Sequence, residues 1–168
     1  IEDLLRRNQY SRVGLIGFAT VAHVIAPLTE DRGTLQRQLP ALSTDLVRPK
    51  GSRVTEALAR ATQMLAGQPE DSSRHLLLIT DGDFEGQAHL ELAAELHEQG
   101  MFLHVIGVGT PEGTTVPMAS GRRDTPLRHP RFGLVTSQLD EVELQTLADM
   151  GGGIYRRANS GVADTDAV

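Results

Sequence analysis

Short apolar runs alternate with segments of helical periodicity along most of this 168-residue chain, and this alternation constrains the fold most strongly. The strongest run is residues 75–80 (HLLLIT), and residues 102–108 (FLHVIGV) form another. Runs that are apolar at nearly every position predict strands buried on both faces, as in parallel sheets. Strands that alternate with helices predict a three-layer α/β fold, in which helices cover both faces of a mostly parallel sheet.

A hairpin is predicted near the start of the chain. Residues 12–20 (RVGLIGFAT) and 22–28 (AHVIAPL) have the composition of strands, and almost nothing separates them. So short a connection permits only an antiparallel pair, because parallel strands need a long crossover. Pro27 suits an edge strand, since proline cannot donate a ladder hydrogen bond. We therefore expect a doubly wound, mostly parallel sheet with an antiparallel hairpin at one edge.

Helical periodicity predicts the elements between and after these strands. The expected helices cover residues 31–42, 53–66 and 88–99, and a further helix follows Ser137–Asp140. Ser137-Gln-Leu-Asp140 has the form of a capping box. A short strand over residues 154–157 completes the pattern. We predict one domain over residues 1–158, followed by a polar tail over residues 159–168.

The composition excludes several classes of function. The net charge of −6 argues against a nucleic-acid-binding protein, which needs a basic face. The absence of cysteine excludes disulfides and thiolate metal sites. No apolar run reaches the length of a membrane-spanning helix, so contact with a bilayer would need segments outside this chain. The chain opens at Ile1 on what resembles the end of an amphipathic helix, and we expect the natural protein to continue upstream.

Two oxygen-bearing side chains stand where the predicted elements reach one rim of the sheet. Asp81 follows the run 75–80 directly, and Ser52 precedes the predicted helix 53–66. In open α/β sheets, ligands bind at the carboxyl ends of the strands. A hydroxyl and a carboxylate are hard oxygen donors of the kind that Mg²⁺ prefers. The simpler interpretation is that Ser52 only caps its helix and Asp81 only stabilises a glycine turn.

Other patterns carry weaker indications. Gly107-x-Gly109 resembles a phosphate-binding loop, but no helical pattern follows it, which disfavours nucleotide binding. Asp81 with Asp83 could serve a phosphoryl-transfer enzyme, although the chain offers only one lysine, Lys50.

The histidines and the arginine-rich segment also admit functional interpretations. His89 and His97 are eight residues apart on a predicted helix, which is not the spacing of a metal-binding pair. His75 and His104 lie in predicted strands and are interpreted as packed or edge residues. The segment 110–132 contains several arginines and no periodicity, so it is either a solvated loop or a rim for an acidic partner.

Five ordered segments resemble the von Willebrand factor A (vWA) family. They are RVGLIGFAT, APLTEDRGTL, GSRVTEALARA, LLLITDGD and VIGVGTPEGTTVP. With the later stretch 135–155, they are most similar to the Bat-type (aerotolerance) bacterial membrane proteins of that family. The resemblance covers nearly all of residues 1–158.

This resemblance implies a metal-ion-dependent adhesion site (MIDAS), at which vWA domains hold Mg²⁺ or Mn²⁺. Ser52 matches the threonine of the family's second loop, and Asp81 matches the aspartate of its third. Thr55 and Asp83 are weaker candidates for supporting positions. The first loop of the family, Asp-x-Ser-x-Ser, does not occur in this sequence, and the family would place it before Ile1 together with the central strand. We therefore expect an incomplete metal site and a sheet without its middle strand.

The function that the resemblance implies is protein interaction, not catalysis. A protein partner would offer an Asp or Glu to the cation. Bat-type relatives imply a bacterial complex associated with the inner membrane, with the soluble portion on the periplasmic side. A metal-independent vWA scaffold and a phosphoryl-transfer enzyme using Asp81 are the alternatives.

Overall fold

The computed structural model of the protein describes residues 11–39, 52–69, 71–84, 86–115, 128–129, 133–134 and 136–158. The segment 1–10, most of the predicted loop 110–132 and the predicted tail 159–168 lie outside these described residues. In the part that is described, no helix combines the length and the apolar character that crossing a bilayer requires.

The described residues form four helices and nine strands. The helices are α1 (Arg32–Gln38), α2 (Val54–Ala66), α3 (Ala88–Glu98) and α4 (Glu141–Met150). The longer strands are β1 (Val13–Phe18), β2 (Ala22–Thr29), β3 (Arg74–Thr80), β4 (Met101–Gly107) and β9 (Gly152–Arg157). Four two-residue strands lie between β4 and α4, namely β5 (Thr114–Thr115), β6 (Arg128–His129), β7 (Gly133–Leu134) and β8 (Thr136–Ser137).

The predicted parallel sheet is confirmed. Strands β3, β4 and β9 pair in that order, and both pairs are parallel. The β3–β4 register is regular from Arg74↔Met101 to Thr80↔Gly107, whereas the β4–β9 register shifts between Leu103 and Val105. Since all three strands run the same way, their carboxyl ends share one edge, which we call the rim.

The predicted hairpin is also confirmed. Strands β1 and β2 pair antiparallel, and β2, which contains Pro27, has β1 as its only partner among the described strands. Helix α1 covers this hairpin through Leu35, which is buried against Ala26 together with Val13 and Leu15. Asp31 caps α1, because its side chain accepts a hydrogen bond from the backbone N–H of Thr34.

The main core lies between one face of the parallel sheet and helices α2, α3 and α4. Alternate residues of β3 and β4 face it, because successive side chains of a strand point to opposite sides. Each large apolar side chain buried there contributes about 1.5–3 kcal/mol to the stability of the fold. The buried residues of this core are Val54, Leu58, Leu76, Leu78, Ala93, Leu96, Met101, Leu103, Val105, Leu139, Leu144, Leu147 and Ala148.

The hairpin and the parallel sheet are separate sheets in the described part of the chain. Helix α2 spans the two, since it contacts β1 and β2 and also packs into the main core through Val54 and Leu58. Among the described strands, none pairs with both sheets.

The start of α4 differs from the prediction. The N-cap is Asp140, whose side chain accepts a hydrogen bond of 3.0 Å from the backbone N–H of Glu143. Ser137 pairs instead with Thr114 in the short ladder between β5 and β8. The capping pattern is therefore Asp140-x-x-Glu143. Ser137 lies in strand β8 and so does not begin the helix.

Candidate functional site

Asp81 lies at the rim, as predicted. It directly follows β3, and the ends of β3 and β4 are held together there by a 2.8 Å hydrogen bond from the N–H of Val108 to the carbonyl of Thr80. Beside it is an open cleft of about 410 Å³, lined by Ile79, Thr80, Asp81 and Val108. The half-buried carboxylate of Asp81 thus borders a space that a ligand could enter.

The loop around Asp81 is held by its own backbone. The N–H of Gly82 donates to the Thr80 hydroxyl at 3.2 Å, and the N–H of Asp83 donates to Oδ1 of Asp81 at a longer 3.4 Å. The N–H of Asp140 donates to the carbonyl of Asp81 at 3.3 Å, which joins this loop to the start of α4. Asp81 therefore stabilises its glycine turn.

Ser52 lies half-buried just before α2. The N-cap of that helix is Arg53, which makes no side-chain capping bond. The N–H of Arg53 donates to the carbonyl of Ala19 at 2.8 Å, which places Ser52 beside the turn after β1.

The two weaker candidates, Thr55 and Asp83, lie close in sequence to Ser52 and Asp81 respectively. Thr55 is half-buried in the first turn of α2, close in sequence to Ser52, and Asp83 is exposed in the loop of Asp81. Within the described ranges, no three His, Asp or Glu side chains cluster in a way that could hold a metal ion. These residues can supply oxygen donors, but a complete coordination shell needs others. The convergence of Ser52 and Asp81 stays a prediction.

Three contacts behind the loop were not predicted from the sequence. A Cβ on Gly82, whose φ is +87°, would lie 3.2 Å from Cγ of Leu144 in α4. The Phe84 ring packs against His89 with centroids 4.8 Å apart. His89 is fully buried, and its Nε2 lies 2.9 Å from Oε1 of Glu143. Helical periodicity in the sequence can predict that Leu144 is buried. It cannot predict that Leu144 supports the loop that contains Gly82.

The Gly107-x-Gly109 pattern has a structural reason. A Cβ on Gly107 would lie 2.6 Å from the hydroxyl oxygen of Tyr155, so this glycine leaves room for the tyrosine. That hydroxyl donates to Oε1 of Glu141 at 3.4 Å, and Nε of Arg157 lies 3.5 Å from the same oxygen. Partial burial, followed by the charge of Glu141, raises the pKa of Tyr155. The glycine thus serves packing at the rim.

Replacing Gly82 with alanine is expected to destabilise the protein by about 1–3 kcal/mol, because a non-glycine residue is strained at positive φ. The side chain of Leu144 and the carbonyl of Asp140, at 3.4 Å, would crowd the new methyl group as well. Gly86→Ala is the matched control, since Gly86 has φ +75° but nothing within 4 Å of the added Cβ. Urea denaturation should show a larger loss for Gly82→Ala; equal losses would mean that these contacts are unimportant.

Known proteins share this fold and parts of this sequence. The von Willebrand factor type A domain family matches residues 1–84. The conserved hypothetical protein BatB from Bacteroides thetaiotaomicron has a similar crystal structure, with a TM-score of 0.89 and 31% identity over 95% of this chain and 77% of that one. An aerotolerance-related membrane protein from Bacteroides fragilis has a TM-score of 0.87 and 26% identity over the same shares, 95% and 77%.

More distant structures share the fold alone. Proximal thread matrix protein 1 from the mussel byssus, with a zinc-occupied MIDAS motif, has a TM-score of 0.64 and 14% identity over 94% of this chain and 34% of that one. No curated protein matches the chain. The family match over half of the chain and the 31% identity to BatB are sufficient for assignment. This chain belongs to the von Willebrand factor type A domain family and is close to its Bat-type members.

Proposed function

We propose that this vWA domain is a protein-interaction module that binds its partner through a divalent cation, Mg²⁺ or Mn²⁺, at the rim that contains Asp81. The observation that supports this most directly is the position of Asp81. Its carboxylate is half-buried at the carboxyl end of β3, next to an open cleft. A carboxylate fixed beside accessible space suits a bound cation that also accepts a ligand from outside.

The proposed donors from this chain are the hydroxyl of Ser52 and the carboxylate of Asp81, with Thr55 and Asp83 in supporting positions. Mg²⁺ takes six oxygen ligands in an octahedron and usually keeps several waters. The remaining donors would be water, an Asp-x-Ser-x-Ser segment outside these 168 residues, and an Asp or Glu of the protein partner. The zinc-occupied MIDAS motif of the mussel protein supports the view that this fold accommodates a divalent cation.

The proposed location is the bacterial inner membrane, with the domain on its periplasmic side. The support is the similarity to the aerotolerance-related membrane protein from Bacteroides fragilis. Segments outside this chain would provide the anchor. The proposed role is binding and not catalysis, within a membrane-associated complex.

A calorimetric titration of Mn²⁺ and Mg²⁺ tests the proposal. It uses the natural chain extended upstream far enough to include an Asp-x-Ser-x-Ser segment. Asp81→Ala should weaken binding by more than about 10–100-fold, the loss typical of removing groups that only support metal ligands. Asp149→Ala, which removes an exposed carboxylate at the end of α4, is the matched control and should leave the affinity unchanged.

The outcomes separate the three functions. If the extended chain binds no cation but still captures its partner in EDTA, the metal-independent scaffold is correct. Phosphatase activity that Asp81→Asn abolishes would indicate the phosphoryl-transfer enzyme. Equal cation affinities for the Asp81→Ala and Asp149→Ala variants would contradict the proposed site.

A further inference from the structure

Two histidines on neighbouring strands form a hydrogen-bonded pair on the sheet face opposite the main core. Nδ1 of His75 in β3 lies 2.9 Å from Nε2 of His104 in β4. The two rings stack with centroids 5.2 Å apart at 18°, and His75 also stacks on Phe102 at 5.4 Å. His75 is exposed and His104 is half-buried. Strand alternation places both opposite Leu76 and Leu103, which face the core.

This pair is part of a longer chain of hydrogen bonds. The backbone N–H of Ile154 in β9 donates to Nδ1 of His104 at 3.3 Å. At the other end, Nε2 of His75 lies 3.3 Å from the hydroxyl oxygen of Ser73. The chain of contacts therefore crosses all three strands of the parallel sheet through the side chains of two histidines.

The backbone N–H of Ile154 determines where the protons lie. Because this group can only donate, Nδ1 of His104 must accept, so a neutral His104 carries its proton on Nε2. That proton then points to Nδ1 of His75, which must accept in turn. A neutral His75 consequently carries its proton on Nε2, where it donates to Ser73. A single pair of neutral tautomers satisfies every contact.

An added proton breaks one of these contacts in every arrangement. If His104 gains it, an N–H on Nδ1 opposes the N–H of Ile154. If His75 gains it, two N–H groups face each other between the rings, unless His104 moves its own proton to Nδ1 and again opposes Ile154. A histidine pair that bonded only to a hydroxyl would not be restricted in this way, because a hydroxyl can donate or accept.

We propose that His75 and His104 form a proton-sensitive clasp that joins β3, β4 and β9 when both rings are neutral and releases them when either ring is protonated. The clasp makes the cohesion of the parallel sheet depend on pH in the range where histidine titrates. It is independent of the proposed cation site, which lies at the rim beyond Thr80.

Other ionisable side chains lie on the elements around the pair. On β3, the guanidinium of Arg74 donates to the carbonyl of Gln99. On β9, Arg156 aligns with Ile106, on the same face as His104. From α3, His97 approaches the edge of the Phe102 ring.

The direction of the pKa shift agrees with this geometry. Burial, followed by the charge of His75, lowers the pKa of His104 below its ordinary value. The unfolded chain therefore takes up this proton first as the pH falls. The contribution to stability is complete above a histidine pKa of about 6.5 and is lost progressively below it.

The same proton arrangement opposes a metal ion between the rings. A metal on Nε2 of a neutral His104 would require the proton on Nδ1, where it would face the N–H of Ile154. Metal-binding histidines normally donate their second N–H to an acceptor instead. The geometry thus favours a proton-controlled contact over a two-histidine metal site.

Nitrogen-15 NMR of the histidine side chains tests the clasp in the full natural chain. At neutral pH, His75 and His104 should both show the Nε2–H tautomer. During acid titration, His104 should stay neutral to a pH below the ordinary histidine pKa of about 6.5. An Nδ1–H tautomer of His104, or protonation of His104 at or above that pH, would overturn the proposal.

A mutational measurement supplements the spectra. The wild-type melting temperature should fall more between pH 7.5 and pH 5.5 than that of His104→Gln, because glutamine does not titrate. Val24→Ala, at an exposed position of β2 without a titratable group, is the control and should keep the wild-type pH dependence. Identical pH dependence in the wild type and the His104→Gln variant would contradict the clasp. If that variant fails to fold, the tautomer measurement on the wild type still decides.

Discussion

Replacing Leu144 with alanine is expected to lower the free energy of unfolding by about 2–5 kcal/mol, the usual cost of removing a buried leucine side chain. Leu144 is 0% exposed and lies in the main core between α4 and the parallel sheet. The cost should fall in the upper part of this range if the surrounding side chains cannot collapse into the cavity. The turn at Gly82 would also lose its support, because the Leu144 side chain packs directly behind that glycine.

Val142→Ala in the same helix provides the control for Leu144→Ala. Val142 is 78% exposed, so its replacement should change stability by no more than about 0.5 kcal/mol. Chemical denaturation of both variants measures the difference directly. In the extended chain, Leu144→Ala should also weaken cation binding, because the loop of Asp81 would be less well held. A loss as small as that of Val142→Ala would show that α4 does not complete the core.

Replacing Gly153 with alanine is expected to destabilise the protein by about 3 kcal/mol or more, at the upper end of the cost of overpacking. The added Cβ would overlap the carbonyl oxygen of Leu103 and lie 2.9 Å from the backbone nitrogen of His104. These are main-chain atoms of the adjacent strand, so the clash cannot be relieved by a change of rotamer. Relief requires separating β9 from β4 where their register already shifts.

The control for Gly153→Ala is Gly67→Ala at the end of α2. Gly67 has nothing within 4 Å of an added Cβ, and its φ of −82° is accessible to alanine. This replacement should be neutral or stabilising by up to about 1 kcal/mol, through the unfolded state. Urea midpoints compare the two variants. Similar midpoints would mean that β4 and β9 separate more easily than their close approach indicates.

Much of the fold could be predicted from local patterns. Nearly continuous apolar runs identified β3 and β4, and the very short connection after β1 required a hairpin. Capping was less predictable, since two overlapping patterns compete at the start of α4. Ser137 matched the capping box, yet Asp140 caps the helix, because the pairing of Ser137 with Thr114 depends on a segment distant in sequence.

The candidate site was predictable in part. The sequence predicts Asp81 at the rim, because an acid that directly follows a buried strand lies at the carboxyl end of that strand. The supports of its loop were not predictable, because Leu144 and Asp140 reach Gly82 and Asp81 only after α4 has packed on the sheet.

The order of apolar and polar residues by itself determined the strands, most helices and the end of the sheet at which Asp81 lies. These features depend on the hydrophobic periodicity of short segments. That periodicity is present in the sequence regardless of the tertiary contacts. Only the tertiary structure decided that His75 meets His104, 29 residues away, and that His104 meets Ile154, 50 residues away. Such contacts depend on strand order and register, which arise when the whole sheet packs and which no local pattern encodes.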